Sequence, residues 1–124
     1  MNKIKSLEKF LDFNNEKIKE EWRKKSDGEK ALINDYIHSR TDKRMLTEYL
    51  VIEDIVWEKE LEDYLKALKK YKINKFVYAD TSTACFRTLL FFIHNGAKIT
   101  PIEYKTEWRF GEEDAKLEGM LIEI

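Results

Sequence analysis

From Ile102 to Phe110 the chain alternates. Ile102, Tyr104, Thr106, Trp108 and Phe110 fall on one parity, and Glu103, Lys105, Glu107 and Arg109 on the other. A period of two means a β-strand with one face buried and one solvated, so the fold must contain a sheet. Pro101, the single proline, suits a strand start or an edge because it cannot donate to a ladder. Gly111–Asp114 reads as a hairpin loop, and Ala115–Ile124 as the returning strand. The apolar parity of that strand shifts across Gly119, from Leu117 to Met120, Ile122 and Ile124. The shift predicts a β-bulge there.

Upstream, Phe76-Val77-Tyr78-Ala79 is apolar on both faces, as in a short covered strand. A polar turn, Asp80–Thr83, leads into Ala84–His94, a helix apolar almost all round that Asn95-Gly96 stops. Such a helix is expected to be sandwiched, with Arg87, Phe91 and Asn95 left exposed. Before Asn74 the period is helical. Ile4, Leu7 and Leu11 form one stripe, Asn14 can cap a second helix, and Ser26 with Glu29 makes a capping box ahead of Leu32, Ile33 and Tyr36. A further stripe runs from Leu46 through Leu50, Val56, Trp57 and Leu61 to Leu68. Unbroken to Tyr71 it would be a helix about 45 Å long, with a bend expected at the β-branched Val51, Ile52, Ile55 and Val56. The expected architecture is α+β in one domain, 1–124. A helical part, 1–73, packs on a β-α-β-β part, 74–124, with a three-stranded mixed sheet and the C-terminal strand in its middle.

Composition narrows function by exclusion. The 23 basic and 24 acidic residues nearly cancel, without the basic surplus of a dedicated nucleic-acid binder. Cys85 is alone, which rules out an intramolecular disulfide or a multi-cysteine zinc site. His38 and His94 form no metal-binding spacing, so neither metal nor cofactor is expected. No apolar run approaches the ~20 residues needed to span a bilayer, and no signal-peptide core is present, which points to a cytoplasmic protein.

Three stretches carry a resemblance: Tyr78-Ala79-Asp80-Thr81-Ser82-Thr83, Asn95-Gly96-Ala97-Lys98-Ile99 and Glu107-Trp108-Arg109-Phe110-Gly111. Together with Glu21–Asp27 and Arg40–Arg44 they resemble small uncharacterised proteins of phages and mobile elements in low-GC Gram-positive bacteria. The resemblance implies a host-defence inhibitor, such as an anti-CRISPR protein, and assigns no functional residue.

Several groups are candidates for contact. Asp54, Glu58 and Glu62 stand at i, i+4 and i+8, an acidic strip if one helix carries them. Such a strip is first of all an ordinary solvated face, and as a contact it would suit a host protein with a basic surface. Trp22, Arg87 and Phe91 are the further partner-binding candidates, although Trp22 reads first as an anchor packing between helices, since Trp is highly buried on average. Asp80, Thr81, Ser82 and Thr83 start a helix and could hold an anion or nucleotide, although such residues are also ordinary caps. Lys66, Lys69, Lys70, Lys72 and Lys75 would serve a nucleic-acid-binding regulator, offset by the acidic block Met45–Tyr64. No catalytic constellation emerges. The leading expectation is a non-catalytic binding protein that inhibits a host protein by stoichiometric contact. The alternatives are a small-molecule or nucleotide sponge and a nucleic-acid-binding regulator.

Overall fold

The computed structural model describes residues 4–41, 45–46, 49–53, 57–80, 82–106 and 115–124; at 45–46, 104–106 and 115–117 it describes the backbone alone. The chain begins with a short helix α1 (Lys5–Glu8) running into a 3-10 turn (Lys9–Leu11), then α2 (Glu16–Arg23) and α3 (Asp27–Thr41). Asn15, one residue beyond the expected cap, closes α2 by accepting the Lys17 N–H at 2.9 Å. The start of α3 is held differently from a capping box. The Asp63 carboxylate reaches in from another helix and accepts from Gly28 N at 2.8 Å and from Ser26. Glu29 turns away to Lys70 and Tyr71.

The long helix expected between Thr41 and Tyr71 does not form. Met45–Leu46 is a strand, β1, and Leu50–Ile52 a second, β2. A 3-10 turn (Glu58–Glu60) then leads into α4 (Leu61–Lys70). The reason lies in the residues. Leu50, Val51 and Ile52 are all buried, Leu50 and Ile52 in the main core and Val51 in a second cluster. A helix could not divide three consecutive side chains between two opposite faces, whereas a strand does so by its pleat. The remaining elements are β3 (Lys75–Tyr78), α5 (Cys85–His94), β4 (Lys98–Thr106) and β5 (Ala115–Glu123).

The sheet is therefore five-stranded among the described residues, not three-stranded, in the order β1-β4-β5-β3-β2. It is mixed, since β2 and β3 run parallel and the other pairs antiparallel. β5 lies in the middle, as expected. β3 and β4, joined through α5, run in the same direction with β5 between them. Pro101 sits where β4 has no outer partner among the described strands, because β1 pairs only with Lys105 and Thr106. No bulge interrupts β5. Its register with β4 is one-to-one from Lys98↔Glu123 through Ile102↔Gly119 to Thr106↔Ala115. The parity shift arises because a central strand is apolar on both faces: Ile122 joins the main core with Phe76, while Leu121 packs with Val77.

The helices lie over one face. Leu7, Phe10, Leu32, Ile33, Tyr36, Tyr64 and Leu68 bury themselves with Phe76, Tyr78, Phe92 and Ile122. Val51 and Val77 are buried on the other face, with Tyr49, Ala79, Ile102 and Leu121 packed against them. The expectations for the hairpin loop Gly111–Asp114 and for Trp108 and Phe110, like that for the Tyr104 side chain, fall outside the described residues.

Candidate binding surface around helix α5

Helix α5 starts without a side-chain cap, its N-cap being Ala84, and ends in a Schellman motif. Ala97 N donates to Phe92 O at 2.9 Å, Gly96 N to Ile93 O at 3.0 Å, and Gly96 takes φ +86°. The Asn95-Gly96 stop is as the residues imply. The sandwich is not. Only Thr88 and Phe92 of α5 are buried, whereas Phe86 is 66% and Ile93 50% exposed. At 100° per residue Phe86, Leu90 and Ile93 share one stripe opposite the buried side. The sheet end near Tyr78 covers one side of the helix, and among the described residues nothing covers the other.

A hollow flanks this ridge on each side. Toward the sheet, a groove of about 400 Å³ is lined by Cys85 and Leu89 of α5, by Tyr78, Pro101 and Met120, and at its edges by Asp80, Glu103 and Glu118. On the other flank a hollow of about 450 Å³ lies between Trp57, Glu58 and Leu61 and the residues Thr83, Ala84, Arg87 and Thr88. Trp57 is 64% exposed. Arg87 Nη1 donates to Glu58 Oε2 at 2.9 Å, an ion pair open to solvent on both sides and thus of little energetic worth by itself.

The Asp80 turn is closed on itself. Asp80 Oδ1 accepts the Ser82 N–H at 2.9 Å, and Oδ2 accepts from the Ser82 hydroxyl at 2.8 Å and the Tyr78 phenol at 3.0 Å. These donors are the ones that an anion would need. Burial, joined by the hydrogen bond to Asp80, pushes the Tyr78 phenol well above its ordinary value of 10.0, so it stays a donor. Thr83 is exposed beside Trp57, and Thr81 lies outside the described residues.

The other candidates are dispersed. The strip Asp54, Glu58, Glu62 loses the single helix that it required. Glu58 belongs to a 3-10 turn and pairs with Arg87, Glu62 stands in the first turn of α4, and Asp54 lies outside the described residues. Trp22 is half-buried at the core's edge. Its ring meets Phe13 edge-on at 5.9 Å, and Lys30 Nζ lies 5.1 Å from its centroid. Phe91, expected outside, is half-buried and packs edge-on against Phe92 at 5.4 Å; Asn95 is exposed. Of the lysines, Lys70 is held by Glu29 at 2.9 Å. Trp57, Phe86 and Ile93 were missed as surface residues because each sits on an apolar stripe, and a stripe does not say which of its members the rest of the chain covers.

Among the described residues no cluster of His, Cys, Asp and Glu is arranged to hold a metal ion, and no helix is long and apolar enough to cross a membrane. No curated protein and no solved structure matches the chain. Residues 31–124 match the family model for a domain of unknown function, DUF7698, and the chain belongs to that family.

Proposed function

We propose that the protein is a non-catalytic binding protein that acts by stoichiometric contact with another protein through α5 and its flanks. One observation carries this reading. Among the described residues the large apolar side chains that stand exposed, Trp57, Phe86 and Ile93, gather at one helix and the hollow beside it. Solvent-facing aromatic residues beside an arginine are the usual anchors of protein interfaces. The resemblance to phage and mobile-element proteins supports a setting in the cytoplasm of a bacterial host, with a host-defence protein as the target. A nucleotide sponge is supported less well, since Asp80 takes up the donors of its own turn and the groove is edged by carboxylates that repel phosphate.

The test is affinity capture from host lysate with the wild type and Phe86→Asp. Phe86 is exposed, so the variant keeps its fold, which a thermal melt verifies. A host protein retained in equimolar amount by the wild type and lost by the variant supports the reading. Equal retention by both removes α5 from it.

A further inference from the structure

We infer that the groove between α5 and the β4–β5 pair receives an apolar side chain of the partner protein that is flanked by lysine or arginine. This deepens the function proposed above and takes from it the class of ligand, a protein segment.

The walls are apolar: Leu89 of α5 on one side, Pro101 of β4 and Met120 of β5 on the other. Pro101 and Met120 are register partners, so they form one continuous patch of sheet surface. The volume of about 400 Å³ accommodates one large side chain with its neighbours, being at the small end of ligand sites. On the helical wheel Leu89 lies about 60° from Phe86 and 40° from Ile93, so the groove wall continues directly into the exposed ridge. A partner that covers the ridge therefore reaches the groove.

The charge at the groove is of one sign. Among the described residues Asp80, Glu103 and Glu118 line it, and no lysine, arginine or histidine does. Glu103 and Glu118 are exposed and sit directly opposite each other across the β4–β5 ladder, and neither has an ion pair among the described residues. Like charges in that position destabilise a sheet. Asp80 adds charge rather than a free acceptor, its oxygens already taking three hydrogen bonds. A cation arriving beside an apolar side chain relieves the Glu103–Glu118 repulsion, which an acidic or neutral segment cannot do. Pairing of an extended segment along the free edge of β4 is disfavoured by Pro101 at its centre, which leaves side-chain insertion as the mode of contact.

The experiment is a titration of the full-length, nitrogen-labelled protein at low salt with two capped nine-residue peptides. One alternates leucine with lysine and the other leucine with glutamate, and amide shifts are followed by NMR. The lysine peptide is expected to shift Ala79, Leu89, Glu118 and Met120, and the glutamate peptide to leave them in place. Glu103→Gln with Glu118→Gln, both exposed and safe for the fold, is expected to weaken the lysine peptide roughly fivefold. Equal shifts with both peptides, shifts elsewhere only, or unchanged affinity in the double variant would overturn the inference. So would a small amine such as phenethylamine competing at the same affinity, or concentration-dependent shifts of these amides without peptide, which would mean a small cation or a second copy. The two readings fail separately. Loss of partner capture in Phe86→Asp without peptide binding sinks the groove alone, and peptide binding with capture unaffected by Phe86→Asp sinks the α5 surface alone.

Discussion

Gly28 is where the helical layer leaves no room. A Cβ there would stand 2.5 Å from Tyr64 N and 2.7 Å from the Asp63 carbonyl carbon, both backbone atoms of α4. Replacing a helical glycine by alanine ordinarily stabilises by roughly 0.5–1 kcal/mol. Here the sign reverses, since α3 and α4 must move apart and the Asp63 bonds to Gly28 and Ser26 would stretch. Gly28→Ala is expected to cost about 2 kcal/mol or more in urea denaturation, and a gain would mean that the two helices slide freely. Trp22 is the opposite case, a residue bulkier in chemistry than its site needs. Its Nε1 is buried with no hydrogen-bond partner among the described residues, at a desolvation cost of about 1–3 kcal/mol. Trp22→Phe keeps an aromatic against Phe13 and removes the orphan donor, so its denaturation midpoint is expected to stay near that of the wild type. Trp22→Ala, which empties the site, should fall well below both.

At the scale of elements, α4 ends in the same motif as α5 but with the wrong residue. Ile73 N donates to Leu68 O at 2.9 Å and Lys72 N to Lys69 O at 3.1 Å, while Lys72 takes φ +57°. Ile73 and Leu68 are both buried, which supplies the motif's apolar contact. A left-handed lysine is strained by roughly 1–2 kcal/mol, a strain glycine does not feel. Lys72→Gly is expected to stabilise by about 0.5–1 kcal/mol, read as a shift in denaturation midpoint without a change in slope. The contrast shows what local sequence discloses. Asn95-Gly96 announces its stop in glycine, whereas Tyr71-Lys72-Ile73 hides one because burial of Ile73 drives the turn. The strands behave alike. Ile102–Thr106 was legible from its alternation and Phe76–Tyr78 from its apolar run. Leu50–Ile52 was not, since its apolar residues also continue a helical stripe, and only pairing with β3 decides between the two. The α5 ridge stayed hidden for a related reason: an apolar helix reads as buried until the layer meant to cover it is counted.

The whole molecule joins its helices through carboxylates, and this makes its stability depend on acid. Glu8 accepts from Tyr36 at 2.7 Å and from Arg40 at 3.0 Å, tying α1 to α3. Asp63 ties the start of α3 to α4, and Glu29 ties α3 to Lys70 and Tyr71 at the end of α4. Burial raises the Glu29 carboxyl, but hydrogen bonds from Tyr71 and Lys70 and the charge of Lys25 outweigh it and hold it below its ordinary value of 4.5. The Asp63 carboxyl is held below 3.8, chiefly by the Ser26 hydrogen bond and also by the N–H groups of Gly28 and Glu29. A folded-state value below the unfolded one means that the unfolded chain binds protons first as pH falls. The contribution is therefore complete above about pH 5 and is lost as pH drops through the lowered folded values. Urea midpoints should accordingly be flat from neutral pH to about 5 and decline below it. Glu29→Gln with Asp63→Asn cannot titrate at these two sites. The double variant should start lower at pH 7, where Lys25 and Lys70 lose their counter-charge, and should decline less steeply toward pH 3. A double variant that keeps the full acid slope would move the dependence to other carboxylates, with Glu21, held low chiefly by its hydrogen bond from Lys9, the next to replace.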